Sequence, residues 1–349
     1  MQILHPHASW TCRSARISSL ALVAIAAAGG MTAQASAQLV PTGIPKGSPT
    51  GSPTGSPTGS PTGSPTVRPG GIAAPPREPQ TGEDAVKVST AVVGEAKPGA
   101  TVRVAVTFDI HPGWHIYWEN PGESGSPTDL AIELPSGCSI PEREAGKPRI
   151  DFPIPQIFSH GETTFGYEKQ VTLSFPVTLA ADLSADALKS GLAAKLTARW
   201  LVCKERCLMG SSQTSVDLAK PVDATAAAAN RLAESLERVP KPLPTTWKVT
   251  LNDVADDGAL LILEAPAPSD AAQGKLPLTF IPFDTPGVGL AEGYVAESKD
   301  GRLEVDLALS RESALGKRLE VGGIVLVGER AGNLREAYAF RIPVPAAAK

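Results

Sequence analysis

Two cysteines four positions apart, Cys203 and Cys207, enclose Lys204-Glu205-Arg206 and are followed by Met209. Thiols placed this way suit three kinds of chemistry: electron exchange through a disulfide that is made and broken, a permanent hairpin bridge, or a soft-metal site for Cu(I) or Zn completed by Met209 or a histidine. Geometry constrains the first two. Four steps along a straight strand span roughly 13 Å, whereas bonded cysteines keep their Cα atoms within about 4.4–6.8 Å. If the two are bonded, the chain must reverse between them, with Lys204-Glu205-Arg206 as a three-residue loop and the cysteines paired across the strands. So short a loop removes little entropy from the unfolded chain, and a bond that stabilises weakly suits a redox role. Lys204 and Arg206 would favour a thiolate, with Glu205 opposing.

Other candidate groups point nowhere as sharply. His111, His115 and His160 lack the close spacing of a metal site and are expected to pack or face water. Cys138, in Pro135-Ser136-Gly137-Cys138, is expected to be a free, at least half-buried thiol. No Gly-x-Ser-x-Gly elbow or His-Glu-x-x-His helix supports a hydrolase. With 32 basic against 36 acidic residues in 349, the chain lacks the cationic surplus of a nucleic-acid binder. We expect no cofactor, no resident metal and no small-molecule substrate.

The elements that must position the cysteines begin after a targeting segment. Arg13 and Arg16 precede the apolar run Leu20 to Ala28, and Ala35-Ser36-Ala37 supplies small residues for cleavage, so residues 1–37 read as a signal peptide. Its removal takes two arginines and no acid, leaving 30 basic and 36 acidic residues and an exported product. Export makes disulfides permissible, and the odd count of Cys138, Cys203 and Cys207 leaves one unpaired within the chain. From Gly47 to Thr66 the tetrapeptide Gly-Ser-Pro-Thr repeats five times. Having no apolar side chain, it reads as part of an extended linker over residues 38–84.

From residue 85 the periodicity is two. Val102, Val104, Val106, Phe108 and Ile110 alternate as a half-buried strand does. Similar runs are Val86–Val93, Trp114–Trp118, Leu130–Leu134, Val171–Leu179 and Ala194–Cys203. The expected class is all-β: an immunoglobulin-like antiparallel sandwich over residues 85–220, then a connector helix and Pro-rich linker over 221–244. A second, smaller β domain over 245–345 contains neither cysteine nor histidine.

Three segments in this order resemble a known family. They are Gly113-Trp114-His115-Ile116-Tyr117-Trp118-Glu119-Asn120-Pro121-Gly122-Glu123-Ser124-Gly125-Ser126-Pro127-Thr128, Phe165-Gly166-Tyr167-Glu168, and Trp200-Leu201-Val202-Cys203-Lys204-Glu205-Arg206-Cys207. The resemblance is to the N-terminal periplasmic domain of DsbD and ScsB type thiol:disulfide interchange proteins. It covers residues 85–220, and the two β domains look most like the ScsB branch. It implies an immunoglobulin-like sandwich whose hairpin carries the redox pair Cys203 and Cys207, with a thioredoxin-like exported or membrane-bound partner. It also implies that Cys207 forms the mixed disulfide, that Cys203 resolves it, and that Phe165 and Tyr167 shield the pair from a cap loop. Electrons would come from a separate protein, since no thioredoxin-type Cys-x-x-Cys is present. The alternatives are a scaffold or adhesion module with a structural bridge, and a Cu(I)-handling protein.

Overall fold

The computed structural model describes residues 78–144, 146–159, 161–266, 277–310, 319–328 and 336–346. The expected signal peptide, the repeat and His160 lie outside the described residues. Alternating apolar runs form the strands as expected, because burying one face of a pleated strand needs an apolar residue at every second position. In the first half these are β1 (Val86–Val93), β2 (Thr101–Ile110), β3 (His115–Gly122), β4 (Asp129–Glu133), β5 (Cys138–Ser139) and β6 (Glu142–Glu144). They continue with β7 (Lys147–Pro148), β8 (Gln156–Ser159), β9 (Thr163–Glu168), β10 (Gln170–Leu179), β11 (Ala193–Cys203) and β12 (Cys207–Asp217). Short helices α1 (Gly82–Ala85) and α2 (Ala185–Ser190) accompany them. The sequence periodicity missed β5 to β9 and β12; of these, β5 to β8 contain at most four residues each, too few for alternation to register.

Two sheets face each other. One runs β1-β2-β10-β5 and the other β12-β11-β3-β9-β8, with β4 also paired to β11. Between them lie Phe108, Trp114, Trp118, Phe165, Leu173 and Phe175, all fully buried. Each such side chain contributes about 1.5–3 kcal/mol on leaving water. Phe108 meets Trp200 edge-on at 5.8 Å, tying β2 of one sheet to β11 of the other.

The connector helix α3 (Ala227–Glu237) lies within the expected 221–244 segment. It docks through Leu232 and Ser235, whose hydroxyl donates to the Thr172 carbonyl on β10. Beyond it come β13 (Lys241–Pro242), β14 (Lys248–Asn252), β15 (Gly258–Glu264), β16 (Leu278–Pro282), β17 (Val288–Leu290), β18 (Ala296–Ser298), β19 (Arg302–Leu309), β20 (Glu320–Val327) and β21 (Glu336–Pro343). They form sheets β13-β21-β20-β16-β18 and β14-β15-β19-β17 around a second core that includes Leu261, Leu263, Phe280 and Val325. β20 lacks alternation because both its faces are covered. Val321 and Val325 enter the second core, while Ile324 and Leu326 pack with the first. The halves also meet where the Asn120 amide donates to the Pro282 carbonyl at 2.8 Å and Trp118 packs on Phe283. Among the described residues no helix is long and apolar enough to cross a membrane.

The expected linker boundary at residue 84 needs correction. Residues 78–84 belong to the folded body: Thr81 and Asp84 form a capping box that starts α1. The pattern of Thr81 followed three residues later by an acid was legible, although Asp in place of Glu is a weaker form of the signal.

Candidate redox site

β11 and β12 pair antiparallel from Ala193↔Asp217 to Cys203↔Cys207, and Lys204-Glu205-Arg206 closes the hairpin. The Lys204 N–H donates to the Arg206 carbonyl at 3.1 Å across the turn. The cysteines are bonded, S–S 2.05 Å with Cα atoms 4.2 Å apart. The reversal required of a bonded pair is present.

The two sulfur-bearing residues differ in exposure. Cys203 is 3% exposed, whereas Cys207 is exposed. The sheet explains the difference. β11 is an inner strand, and Cys203 lies opposite His115 of β3, which in turn lies opposite Glu168 of β9. β12 is an edge strand, with no strand paired beyond it among the described residues.

The charged loop residues are engaged from the N-terminal side. Lys204 Nζ pairs with Glu78 at 2.9 Å, and Arg206 donates to the Pro79 carbonyl. The Lys204 hydrogen bond lowers the Glu78 carboxyl pKa, and reciprocally raises that of the Lys204 ammonium. Of the positive charge expected to favour a thiolate, that of Lys204 is therefore matched by an acid when the pair is oxidised. Further along, the Glu83 carboxylate accepts the Ser211 N–H at 2.8 Å, and the Trp200 indole donates to the Gly82 carbonyl at 3.4 Å. Glycine is required at 82, because a Cβ there would lie 2.5 Å from the Gly210 backbone. Residues 78–85 thus form a strap over one flank of the hairpin, a feature no spacing in the sequence announced.

Phe165 and Tyr167, expected over the pair, face the sandwich core. Tyr167 lies opposite Ile116, which lies opposite the buried Val202, so parity places it on the face away from Cys203 and His115. Its hydroxyl donates to the Pro153 carbonyl at 2.7 Å, and burial pushes the phenol well above its ordinary pKa. Phe165, of the same parity, meets Trp118 edge-on at 6.2 Å. The aromatic beside the pair's neighbour is Phe158 on β8, whose ring lies 4.9 Å from that of His115. His115 also meets Tyr117 at 5.2 Å, a packing role. Trp114 and Trp118 are core residues.

Cys138 is a free, half-buried thiol on β5 in the other sheet, and burial raises its pKa. Among the described residues no group of three or more histidine, cysteine or acidic side chains is placed to hold a metal.

Residues 82–219 match the sequence pattern of a family described as thiol:disulfide interchange protein DsbD, N-terminal. A search of curated proteins finds no match. Among solved structures, the N-terminal periplasmic domain of ScsB from Proteus mirabilis is similar at 17% identity and TM-score 0.51, over 76% of this chain and 95% of that one. That likeness covers both β halves and bears on the fold alone. The reduced N-terminal domain of Neisseria meningitidis DsbD aligns over 40% of this chain and 89% of its own, at 16% identity and TM-score 0.23.

Proposed function

We propose that this chain is an exported, periplasmic thiol:disulfide interchange protein, a reading supported by the match of residues 82–219 to the DsbD N-terminal family. Its Cys203–Cys207 pair relays electrons between thioredoxin-like exported or membrane-bound proteins. The first β domain, residues 78–220, carries the chemistry. The second, 245–345, has no cysteine or histidine to contribute.

Loading of the pair proceeds in two exchanges. A partner thiolate attacks Cys207 Sγ; the Cys203–Cys207 bond breaks, Cys203 departs as a thiolate, and a mixed disulfide joins Cys207 to the partner. The partner's second thiolate then attacks its own bonded sulfur and releases Cys207. The partner ends as a disulfide, and the pair has gained two electrons and, once both sulfurs are protonated, two protons. Discharge runs the same steps backward, with Cys207 attacking an oxidised acceptor and Cys203 resolving the intermediate.

The observation that carries this reading is the difference in exposure within one disulfide. An attacking thiolate needs access to one sulfur, and the other must stay near and protected until it resolves the intermediate. Cys207 meets the first requirement and Cys203 the second. Affinity-tagged Cys203→Ser, expressed with its export signal, should accumulate mixed disulfides with thioredoxin-fold proteins, and Cys207→Ser should not. Equal trapping by both variants, or by neither, would overturn the assigned roles.

A further inference from the structure

The connector helix α3 docks on the face of β10 that carries Thr172, opposite the face whose Leu173 and Phe175 enter the sandwich core. Between helix and strand lies a cavity of about 110 Å³, lined by groups that take no part in the redox chemistry. Arg231 and Arg238 both line it, two helical turns apart and so on one side of α3. The neighbouring polar groups are engaged within the fold. The Ser235 hydroxyl donates to the Thr172 carbonyl, the Thr172 hydroxyl shares a hydrogen bond with that of Thr107 at 2.8 Å, and the Gln170 amide donates to Asp109. Arg238 makes one long bond, from Nη2 to the Ile154 carbonyl at 3.4 Å. Arg231 differs: its Nε is buried with no hydrogen-bond partner. Among the described residues neither arginine is ion-paired, although Glu234 lines the same cavity.

A guanidinium stays charged at any physiological pH, and a buried N–H on it that bonds nothing costs the fold free energy. An oxyanion is the acceptor its donor fork matches best. Size narrows the choice: pockets for drug-sized ligands measure about 300–1,000 Å³, so this cavity takes one small ion. Shape narrows it further. The two arginines start about 10 Å apart along the helix axis and reach a common anion from different directions. A tetrahedral ion presents oxygens to both, whereas a planar carboxylate offers one edge, which a single fork fills. Two arginines against one glutamate leave the site with surplus positive charge. The carbonyl end of α3 and Glu234 oppose an anion, but the first is a partial charge and the second is exposed, where water and salt screen it.

We propose that Arg231 and Arg238 form a binding site for a single tetrahedral oxyanion of the phosphate type. Arg231 holds the ion from the buried side, and Arg238, which is exposed, closes on it from the mouth. The site is independent of the relay reading, since none of its groups touches the cysteine hairpin.

Titration calorimetry of the exported protein with inorganic phosphate, in chloride buffer of constant ionic strength, tests it. One phosphate per chain should bind saturably, and acetate at equal concentration should not displace it. Arg231→Met should weaken binding about tenfold or more, the effect of losing a hydrogen bond between charged groups. Arg238→Met should weaken it too, and Lys189→Met, which removes an exposed cation of α2, should not. In phosphate-free buffer Arg231→Met should melt no lower than the wild type, because its Nε gives up no partner; a lower midpoint would make the arginine structural and overturn the assignment. So would the absence of saturable phosphate binding, or binding that Arg231→Met leaves intact. Phosphatidylglycerol vesicles separate the sources of the ion. Cosedimentation that inorganic phosphate competes away identifies a lipid phosphate, and phosphate binding without cosedimentation identifies the free ion.

Discussion

Reducing the Cys203–Cys207 bond should leave the protein folded. The chain separation between the cysteines is 4, and for so small a loop the loop-entropy relation gives about 2 kcal/mol, against nearly 5 kcal/mol for a loop of about 100 residues. The hairpin has other support: eleven register pairs join β11 to β12, and Trp200 and Val202 anchor β11 in the core. For a folded unit of this size a loss of about 2 kcal/mol lowers the melting temperature by roughly 4–8 °C. The assay is thermal or urea unfolding with and without excess dithiothreitol, followed by near-ultraviolet circular dichroism of the buried Trp114, Trp118 and Trp200. The reduced protein should keep that signal, with a modestly lower midpoint. Collapse of the signal on reduction, or a loss beyond about 4 kcal/mol, would make the bridge structural and refute the reasoning from loop size to redox role. A reduction potential more oxidising than about −300 mV is the matching expectation.

Two further outcomes follow from local chemistry. Asp217 accepts the Leu192 N–H at 2.8 Å, and this bond, reinforced by Lys220 and the Ala219 N–H, lowers its carboxyl pKa. Its stabilisation is therefore complete above the ordinary aspartate value and lost as pH falls through the lower folded one; Asp217→Ala should cost about 2 kcal/mol near neutral pH, with the deficit closing in acid, and urea titrations at several pH values would show a constant deficit if this account is wrong. Gly82→Ala should lift the strap from Gly210 and cost about 1–3 kcal/mol, read as faster hydrogen exchange at the Ser211 amide that Glu83 now protects; unchanged exchange there would contradict the proposed contact.

The strands with long alternating runs, β1, β2 and β10, were legible because period two is a property of the chain itself. β20 could be located but its surroundings could not, since a strand buried on both faces has no polar side to mark it. The site divides in the same way. The Cys203–Cys207 reversal follows from bond lengths and strand rise. Phe158, by contrast, carries no distinguishing pattern and reaches the site only because β8 pairs with β9 and β9 with β3.

Local covalent geometry and apolar spacing, both readable one residue at a time, determined that this chain would form β-sandwiches and that a bond between Cys203 and Cys207 demands a turn. The order of strands in the sheet decided the rest. It made β11 an inner strand and β12 an edge, and so buried Cys203 while leaving its bonded neighbour Cys207 exposed. It turned Phe165 and Tyr167 into the core and brought residues 78–85 across the hairpin. Exposure is set by what packs against a residue from distant parts of the chain, and only the assembled sheets contain that information.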